Sequence, residues 1–371
     1  MSDNQLFYKT QILTYMGNKR KFLNIIENII KKIEKDLNKK LNIGEGFSGS
    51  GIVSRLFKNN SNNLYVNDIA GYSYTLNNCY LSTPSQKEYN IIKKYIDKAN
   101  NFVETNVKVP KFISKHWAPK SSNITENDRV YFTHKNGIII DKYMYFINNK
   151  VEEKYKPYLL APLLVECSMH NNTNGQFSAY YKNENRTVGK YGGKNEIDLK
   201  RITKDIKIQY PILSNHKCNV NISQNDTNEW CKSIPELDLV YYDPPYNKHP
   251  YCIYYFLLDI INDWDLDIQI PNTNRGQPKN WKQSKYCSIN KAKETFQDLI
   301  KYTKSRYILI SYNDGGIIPL NELEEILTEY GSVSKIPVEH KTYNKLKGIA
   351  NYKRKKENKE VKEFLWLLKK N

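Results

Sequence analysis

The chain has 371 residues, enough to bury a large core, so it reads as one large domain with an insertion or as two domains. Hydrophobic residues are 39% and charged residues 26%, as in an ordinary folded protein, and no apolar run approaches the roughly 20 residues that cross a bilayer. The net charge of +18 and the pI near 9.3 mark a binder of polyanions, although AT-biased coding, which enriches Lys, Asn, Ile and Tyr, accounts for part of that charge.

The first residues, MSDNQLFYKTQ, lack the basic-then-apolar pattern of a signal peptide, so a cytoplasmic protein is expected. Cys79, Cys167, Cys218, Cys231, Cys252 and Cys287 are scattered with no C-x-x-C pair, which suggests neither a zinc site nor a disulfide framework. In Leu13–Leu23, Gly17 and Asn18 break the local pattern and Lys19, Arg20 and Lys21 follow. Phe22, Ile25, Ile26, Ile29, Ile30, Ile33 and Leu37 then recur at helical spacing, so a glycine-containing loop with a lysine opens a long amphipathic helix. A cation at a helix start opposes the dipole, so Lys19 is either solvated or paired with a carboxylate.

Leu41–Phe57 reads as a short strand running into Gly44-Glu45-Gly46-Phe47-Ser48-Gly49-Ser50-Gly51 and then a helix. Glycines there let a ligand approach the backbone beside the N–H groups of a helix N-terminus. The run is neither a full G-x-G-x-x-G fingerprint nor a Walker A loop. Leu64–Ile69 is the second strand, with Asp68 at its end. In nucleotide-binding α/β domains an acid about 20 residues past the glycine loop accepts hydrogen bonds from ribose hydroxyls.

Between Gly71 and Val220 the alternation becomes irregular. Ser85–Asn100 reads as helix and Pro110–Thr125 as a basic, aromatic loop. Arg129–Thr133 and Gly137–Ile140 read as short strands, or a strand and a turn, and Leu159–Val165 as core. The basic, glycine-rich tract Lys182–Lys194 is either a disordered surface loop or a clamp on nucleic-acid backbone. Asn219–Trp230 contains a strand that ends at Asn225-Asp226. Leu237–Asp243 is the next strand, and Asp243-Pro244-Pro245-Tyr246 follows as a rigid corner, because proline fixes φ and lacks an N–H. Such a corner holds a carboxylate, a free carbonyl and an aromatic ring at a strand end, which suits a flat substrate carrying an exocyclic amine. Tyr251–Trp264 and Lys291–Thr303 read as helices, Arg306–Asn313 as a strand and Asn321–Tyr330 as a short helix. Val333–Lys341 and Val361–Leu368 form a final strand pair around a basic linker, Tyr343–Lys359, which is either a solvated loop or a phosphate contact.

The order Tyr15–Lys19, Gly46–Gly51, Asp68, Asp226, Asp243–Tyr246 resembles the D12 class of DNA adenine-N6 methyltransferases, the Dam-like, alpha-group arrangement. In that family a motif with a G-x-K core precedes F-x-G-x-G, an acid closing the second strand, an insertion that reads the target, and D-P-P-Y. Here the first is Tyr15-Met16-Gly17-Asn18-Lys19 and the second Phe47-Ser48-Gly49-Ser50-Gly51. The likeness covers nearly the whole chain. It extends to a restriction-modification branch through Asp128–Asn136, Asn172–Lys182, Asp243–Tyr251 and Ile310–Ile317. One departure is Gly44-Glu45 before Phe47, where the family often has Glu/Asp-Pro.

The resemblance implies an α/β fold, a Rossmann-like S-adenosylmethionine-dependent methyltransferase sheet with an inserted target-recognition region. The catalytic domain would comprise residues 1–80 and 216–371, and the insertion 81–215, with 155–182 partly returning to the core. It implies S-adenosylmethionine as cofactor, with no metal. The cofactor would be held by Tyr15, Met16, Gly17, Lys19, Glu45, Phe47, Ser48, Gly49, Gly51, Asp68, Ile69, Asp226 and Asp243. Asp68 would take the ribose hydroxyls, Lys19 the methionine carboxylate, and Asp226 would lie near the cofactor adenine or position the active-site loop. Asp243, Pro244, Pro245 and Tyr246 would be catalytic, with Asp243 ionised at an ordinary or low pKa and Tyr246 stacked on a flipped base. Double-stranded DNA is the implied partner, together with a cognate endonuclease in a restriction system and no membrane. The absence of a Pro-Cys pair argues against attack on a cytosine ring carbon through a thiolate. Cytosine N4 or RNA as the methylated amine, and an inactive nucleic-acid-binding homologue, stand as alternatives.

Overall fold

The computed structural model describes residues 3–279, 283–338 and 362–371. The linker Tyr343–Lys359 lies outside them. The chain divides into two compact units. One comprises Met1–Asn18, Thr75–Asn215 and Cys252–Trp281, and the other Lys19–Tyr74, His216–Tyr251 and Lys282–Asn371.

The second unit is built on a seven-stranded sheet. Its strands are β1 (Leu41–Glu45), β2 (Ser61–Asn67), β3 (Asn219–Ser223), β4 (Leu237–Tyr242), β5 (Ser305–Asn313), β6 (Gly331–Val338) and β7 (Glu363–Lys370), in the order β3-β2-β1-β4-β5-β7-β6. The first five pair in parallel, and β7 is antiparallel to both β5 and β6. This is the Rossmann-like α/β sheet expected from the sequence. The chain steps outward from β1 to β3 and then returns to lay β4 on the other side of β1. The switch point therefore falls between β1 and β4, and ligands bind at the carboxyl ends of strands there.

Local sequence explains these positions. All six residues of β4 are buried, as befits a central strand covered on both faces. Its acid, Asp238, accepts the Asn42 N–H at 2.8 Å and pairs with Lys39 at 2.7 Å. β6, at the sheet edge, alternates exposed and partly buried residues and tolerates Pro337, which an inner strand would not. The expected amphipathic helix spans Leu23–Leu37, buries Ile26, Ile29, Ile30 and Ile33, and ends at Asn38 in a left-handed conformation. One hydrophobic cluster unites Trp230, Tyr242, Phe296, Ile308, Leu327 and Trp366.

The first unit is largely helical, with helices Gln86–Val103, His134–Lys150 and Pro157–Met169 among its elements. Two expectations are corrected here. Arg129–Thr133 carries no strand, and Gly137–Ile140 lies inside the helix His134–Lys150. Thr133 caps that helix by accepting the Asn136 N–H at 3.0 Å. Ile139, Ile140, Tyr143, Met144 and Ile147 are buried at helical spacing, so burial of one face outweighs the strand preference of three consecutive isoleucines. Asp141 on the same helix accepts the backbone N–H groups of Phe112, Ile113 and Ser114 at 2.7–3.2 Å. Leu159–Val165 is core as expected, within a helix. The tract after Lys182 folds back on itself. Lys182 bridges to Gly189, and the Lys190 N–H donates to the Tyr181 carbonyl at 3.0 Å. Among the described residues no helix is long and apolar enough to cross a membrane.

Candidate active site

The second unit gathers its functional groups where β1, β2 and β4 end. β4 stops at Tyr242, and Asp243 follows before the two prolines. Pro244 is buried, and Pro245 and Tyr246 are half-buried. The loop is fixed from behind, because the Ile317 N–H donates to the Tyr246 carbonyl at 2.9 Å. The Tyr246 ring meets Tyr312 edge-on at 5.6 Å.

Lys19 opens a single 3₁₀ turn, Lys19–Lys21, and is only 2% exposed. Its Nζ lies 3.1 Å from Asp243 Oδ2 and 3.7 Å from Glu363 Oε2, and 5.6 Å from the Tyr246 ring centroid. The sequence argument for a carboxylate partner is met by two. Burial alone would lower the Lys19 pKa, but Asp243 and Glu363 outweigh it and raise it above the ordinary value. The expectation for Asp243 is corrected. Burial pushes its carboxyl up to about 6, even though Lys19 pulls the other way. Its Oδ1 has no hydrogen-bond partner among the described residues.

β1 leads into the glycine loop. Glu45 is 1% exposed and accepts the Ser54 hydroxyl. Burial raises its carboxyl to about 8, and the charges of Asp243 and Asp68 act the same way. Gly46 packs so closely that an added Cβ would lie 2.5 Å from the Tyr242 ring and 2.7 Å from Thr227 Cγ2. Phe47 packs edge-on against Tyr286, ring centroids 5.2 Å apart. Ser48 bonds Ser73 at 3.0 Å. Gly49 and Gly51 have φ of 50° and 73°, a left-handed backbone that glycine adopts most readily, and the helix Ile52–Asn60 starts directly after them. Asp68 turns back onto this loop. Its Oδ2 accepts the Gly49 N–H at 2.7 Å and its Oδ1 the Ala70 N–H at 2.9 Å. Burial raises the Asp68 carboxyl above its usual range, although those N–H groups oppose the shift. Ile69 beside it is 38% exposed.

Asp226 is exposed and caps the helix Thr227–Ser233, accepting the Asn228 N–H at 3.0 Å. Three residues that the sequence reading did not single out also belong here. Asn67, fully buried, donates to the carbonyls of Gly46 (3.3 Å) and Asn225 (3.0 Å) and accepts the Asn225 N–H at 3.0 Å. It therefore ties the loop after β1 to the loop after β3. Tyr286 backs Phe47 and donates its hydroxyl to Asn228 at 2.6 Å. Glu363 is the third. An Asn at the end of β2 beside the acid was the available sequence signal for the first, whereas Tyr286 and Glu363 carried none.

Tyr15, Met16 and Gly17 belong to the first unit. Tyr15 stacks on Tyr255 with centroids 4.5 Å apart and planes 16° from parallel. The Met16 N–H donates to the Tyr255 hydroxyl at 2.7 Å. Gly17 has a φ of 74°.

Comparison with known proteins agrees with this geometry. Residues 15–326 match the D12 class N6 adenine-specific DNA methyltransferases. The chain is 27% identical over 369 residues to the type II methyltransferase M.NlaIII of Neisseria lactamica, covering 96% of this chain and 99% of that protein. It is 27% identical over 370 residues to M.FokI of Planomicrobium okeanokoites, covering 97% of this chain and 53% of that protein. It is 24% identical over 360 residues to M.CviAII of Paramecium bursaria Chlorella virus 1, covering 95% and 97%. With the sheet order, the Asp-Pro-Pro-Tyr corner and the family match in agreement, the chain belongs to the D12 class of N6 adenine-specific DNA methyltransferases.

Proposed function

We propose that the protein transfers a methyl group from S-adenosylmethionine to the N6 amine of an adenine flipped out of double-stranded DNA, in a type II restriction-modification system of the cytoplasm, with a cognate endonuclease as partner. The observation that carries the reading is Asp243 Oδ1, a buried carboxylate oxygen that makes no hydrogen bond of good geometry among the described residues, beside a proline corner at the sheet switch point. The residues present fit a cationic, nucleoside-containing donor. Glu45 is a buried carboxyl that faces no cation among the described residues, Gly46 is closely packed, and Gly49 and Gly51 turn the chain into a helix start. Glu45 would face the positive end of the donor, and Asp68 and Ile69 its sugar. Phe47 and Ser48 would form the floor, and Lys19 and Asp226 would complete this unit's part of the pocket.

S-adenosylmethionine, when bound, supplies an electrophilic methyl group on a sulfonium. Asp243 Oδ1 and the Pro244 carbonyl accept the two amine hydrogens. That favours a pyramidal nitrogen whose lone pair is free to attack in line. Pro245 keeps the corner rigid, and Tyr246 stacks on the base. As the N–C bond forms and the S–C bond breaks to leave a neutral thioether, the nitrogen would become cationic and would then lose a proton. A carboxylate whose pKa is about 6 is well matched to take that proton near neutrality. The excess of Lys and Arg, 57 against 39 acidic residues, supplies the phosphate contacts, with residues 81–215 as the target-recognition region.

Labelled methyl transfer into DNA lacking adenine methylation, followed by methylation-aware sequencing, tests the proposal. N6-methyladenine at a defined site is expected. Asp243→Ala is expected to lose transfer and keep DNA binding. Label appearing on cytosine N4 or only in RNA, or no label at all, would sink the reading.

A further inference from the structure

The chemistry above uses Asp243 and leaves a buried carboxylate beside it without a task. Glu363 is the first residue of β7 and is 5% exposed. The antiparallel register sets Glu363 opposite Asn313, so β7 begins at the carboxyl end of β5. Register also fixes the faces. Glu45 pairs with Tyr241, Tyr241 with Leu309, Leu309 with Leu367, and Ser311 with Leu365. Side chains two residues apart share a sheet face, so Glu45, Tyr241, Asp243, Ser311 and Glu363 line one face across four adjacent strands. Lys19 lies against this row and bridges its two members Asp243 and Glu363. The Tyr241 hydroxyl, Ser311 Oγ and Asp243 Oδ1 make no hydrogen bond of good geometry among the described residues, although Ser311 stands near enough to Asp243 and Tyr241 to favour their charged forms.

We propose that Glu363 is a positioning residue for adenine methylation: it shares the Lys19 ammonium with Asp243 and so keeps Asp243 Oδ1 open to the target amine. The proposal rests on the function argued above. A buried ammonium facing a single carboxylate is free to engage either of its oxygens, because it is a compact point charge with rotatable donors. A second carboxylate two strands away draws the ammonium to one side, and it then engages Oδ2 alone. The charge of Glu363 also raises the proton affinity of Asp243, which makes it the stronger acceptor. The other titratable groups facing this pair are Glu45, Tyr241 and Tyr246, with Tyr251 facing Lys19.

Wild type, Glu363→Gln and Glu363→Asp are compared on DNA lacking adenine methylation, with labelled S-adenosylmethionine, between about pH 5 and about pH 9. Glu363→Gln removes the charge and keeps the shape. Its kcat is expected to fall about tenfold with KM for DNA within about twofold, and its acid limb to move down by about half a pH unit. Glu363→Asp keeps the charge on a shorter arm, so its acid limb stays at the wild-type position while kcat falls about threefold. A residue that only braced β7 would lower the melting temperature and leave the acid limb in place. A folded Glu363→Gln enzyme with wild-type kcat, or with an unmoved acid limb, overturns the proposal. Should Glu363→Gln not fold, an acid limb displaced in Glu363→Asp overturns it instead. A wild-type protein that transfers no methyl group overturns the function reading, and this proposal with it.

Discussion

Asp68 Oδ2 accepts the backbone N–H of Gly49 at 2.7 Å, so the acid that closes β2 is tied to the glycine loop that follows β1. Asp68 thus holds the loop, and under the proposed function it also faces the donor's sugar. Asp68→Ala is expected to weaken cofactor affinity by about tenfold to a hundredfold, since a charge-assisted bond and the loop's order are lost together. Isothermal titration with S-adenosylmethionine measures this. An affinity within about twofold of wild type would remove Asp68 from the pocket.

Gly46 gives a steric prediction. A methyl group there would meet Tyr242 at 2.5 Å, and neither that fully buried ring nor Thr227 has room to retreat. Gly46→Ala is expected to destabilise the protein by about 1–3 kcal/mol and to displace the loop that carries Phe47. Urea denaturation alongside cofactor binding reports both effects, and a variant unchanged in both would show the loop to be looser than described.

The pH dependence of transfer follows from Asp243. Its pKa of about 6 is raised above the ordinary value, and in the proposed mechanism the ionised form is the one that accepts the amine hydrogens. Activity is therefore present above about pH 6 and lost as pH falls through that value. Lys19→Gln removes the cation that lowers this pKa, so the acid limb is expected to move to higher pH. Single-turnover rates across the range provide the measurement. A limb that stays in place, or moves down, would contradict the Lys19–Asp243 coupling.

Glu45 predicts an effect on stability. Its folded pKa of about 8 lies above its ordinary value of 4.5, so the native state holds the proton more tightly than the unfolded chain. That contribution is fully present below about pH 4.5 and is lost as pH rises through about 8. Glu45→Gln stays neutral throughout. The ligand-free variant is expected to exceed wild type in stability at high pH, by on the order of a few kcal/mol, and to show no such gain in acid. Denaturation curves at two pH values settle it, and parallel losses in both proteins would refute the assignment.

Much of this site was legible because its parts sit where the chain must punctuate itself. Gly49 and Gly51 are needed for left-handed backbone, Pro244 and Pro245 for a strand exit, and Asp68 and Asp243 close apolar runs. Those signals are local. Glu363 was not legible, because it meets Lys19 only through the antiparallel insertion of β7 between β5 and β6. The Ile138–Ile140 run misled because strand preference is a local property, whereas the burial that made it helical comes from residues far along the chain. The pKa of Asp243 was misjudged for a related reason. The sequence shows the charges, but not how thoroughly they are withdrawn from water.

The carboxylate row across β1, β4 and β7 also bears on what happens after transfer. Among the described residues Lys19 pairs with Asp243 and Glu363, and Glu45 faces no cation. In the proposed reaction such a face favours a donor whose sulfur is positively charged, because a cation beside Glu45 draws off the proton that burial keeps on it. Once the methyl group has gone, the sulfur is a neutral thioether and that attraction disappears. Under the proposed function, the electrostatics that recruit the donor would thus loosen the spent molecule, and turnover would gain a direction from the sheet itself.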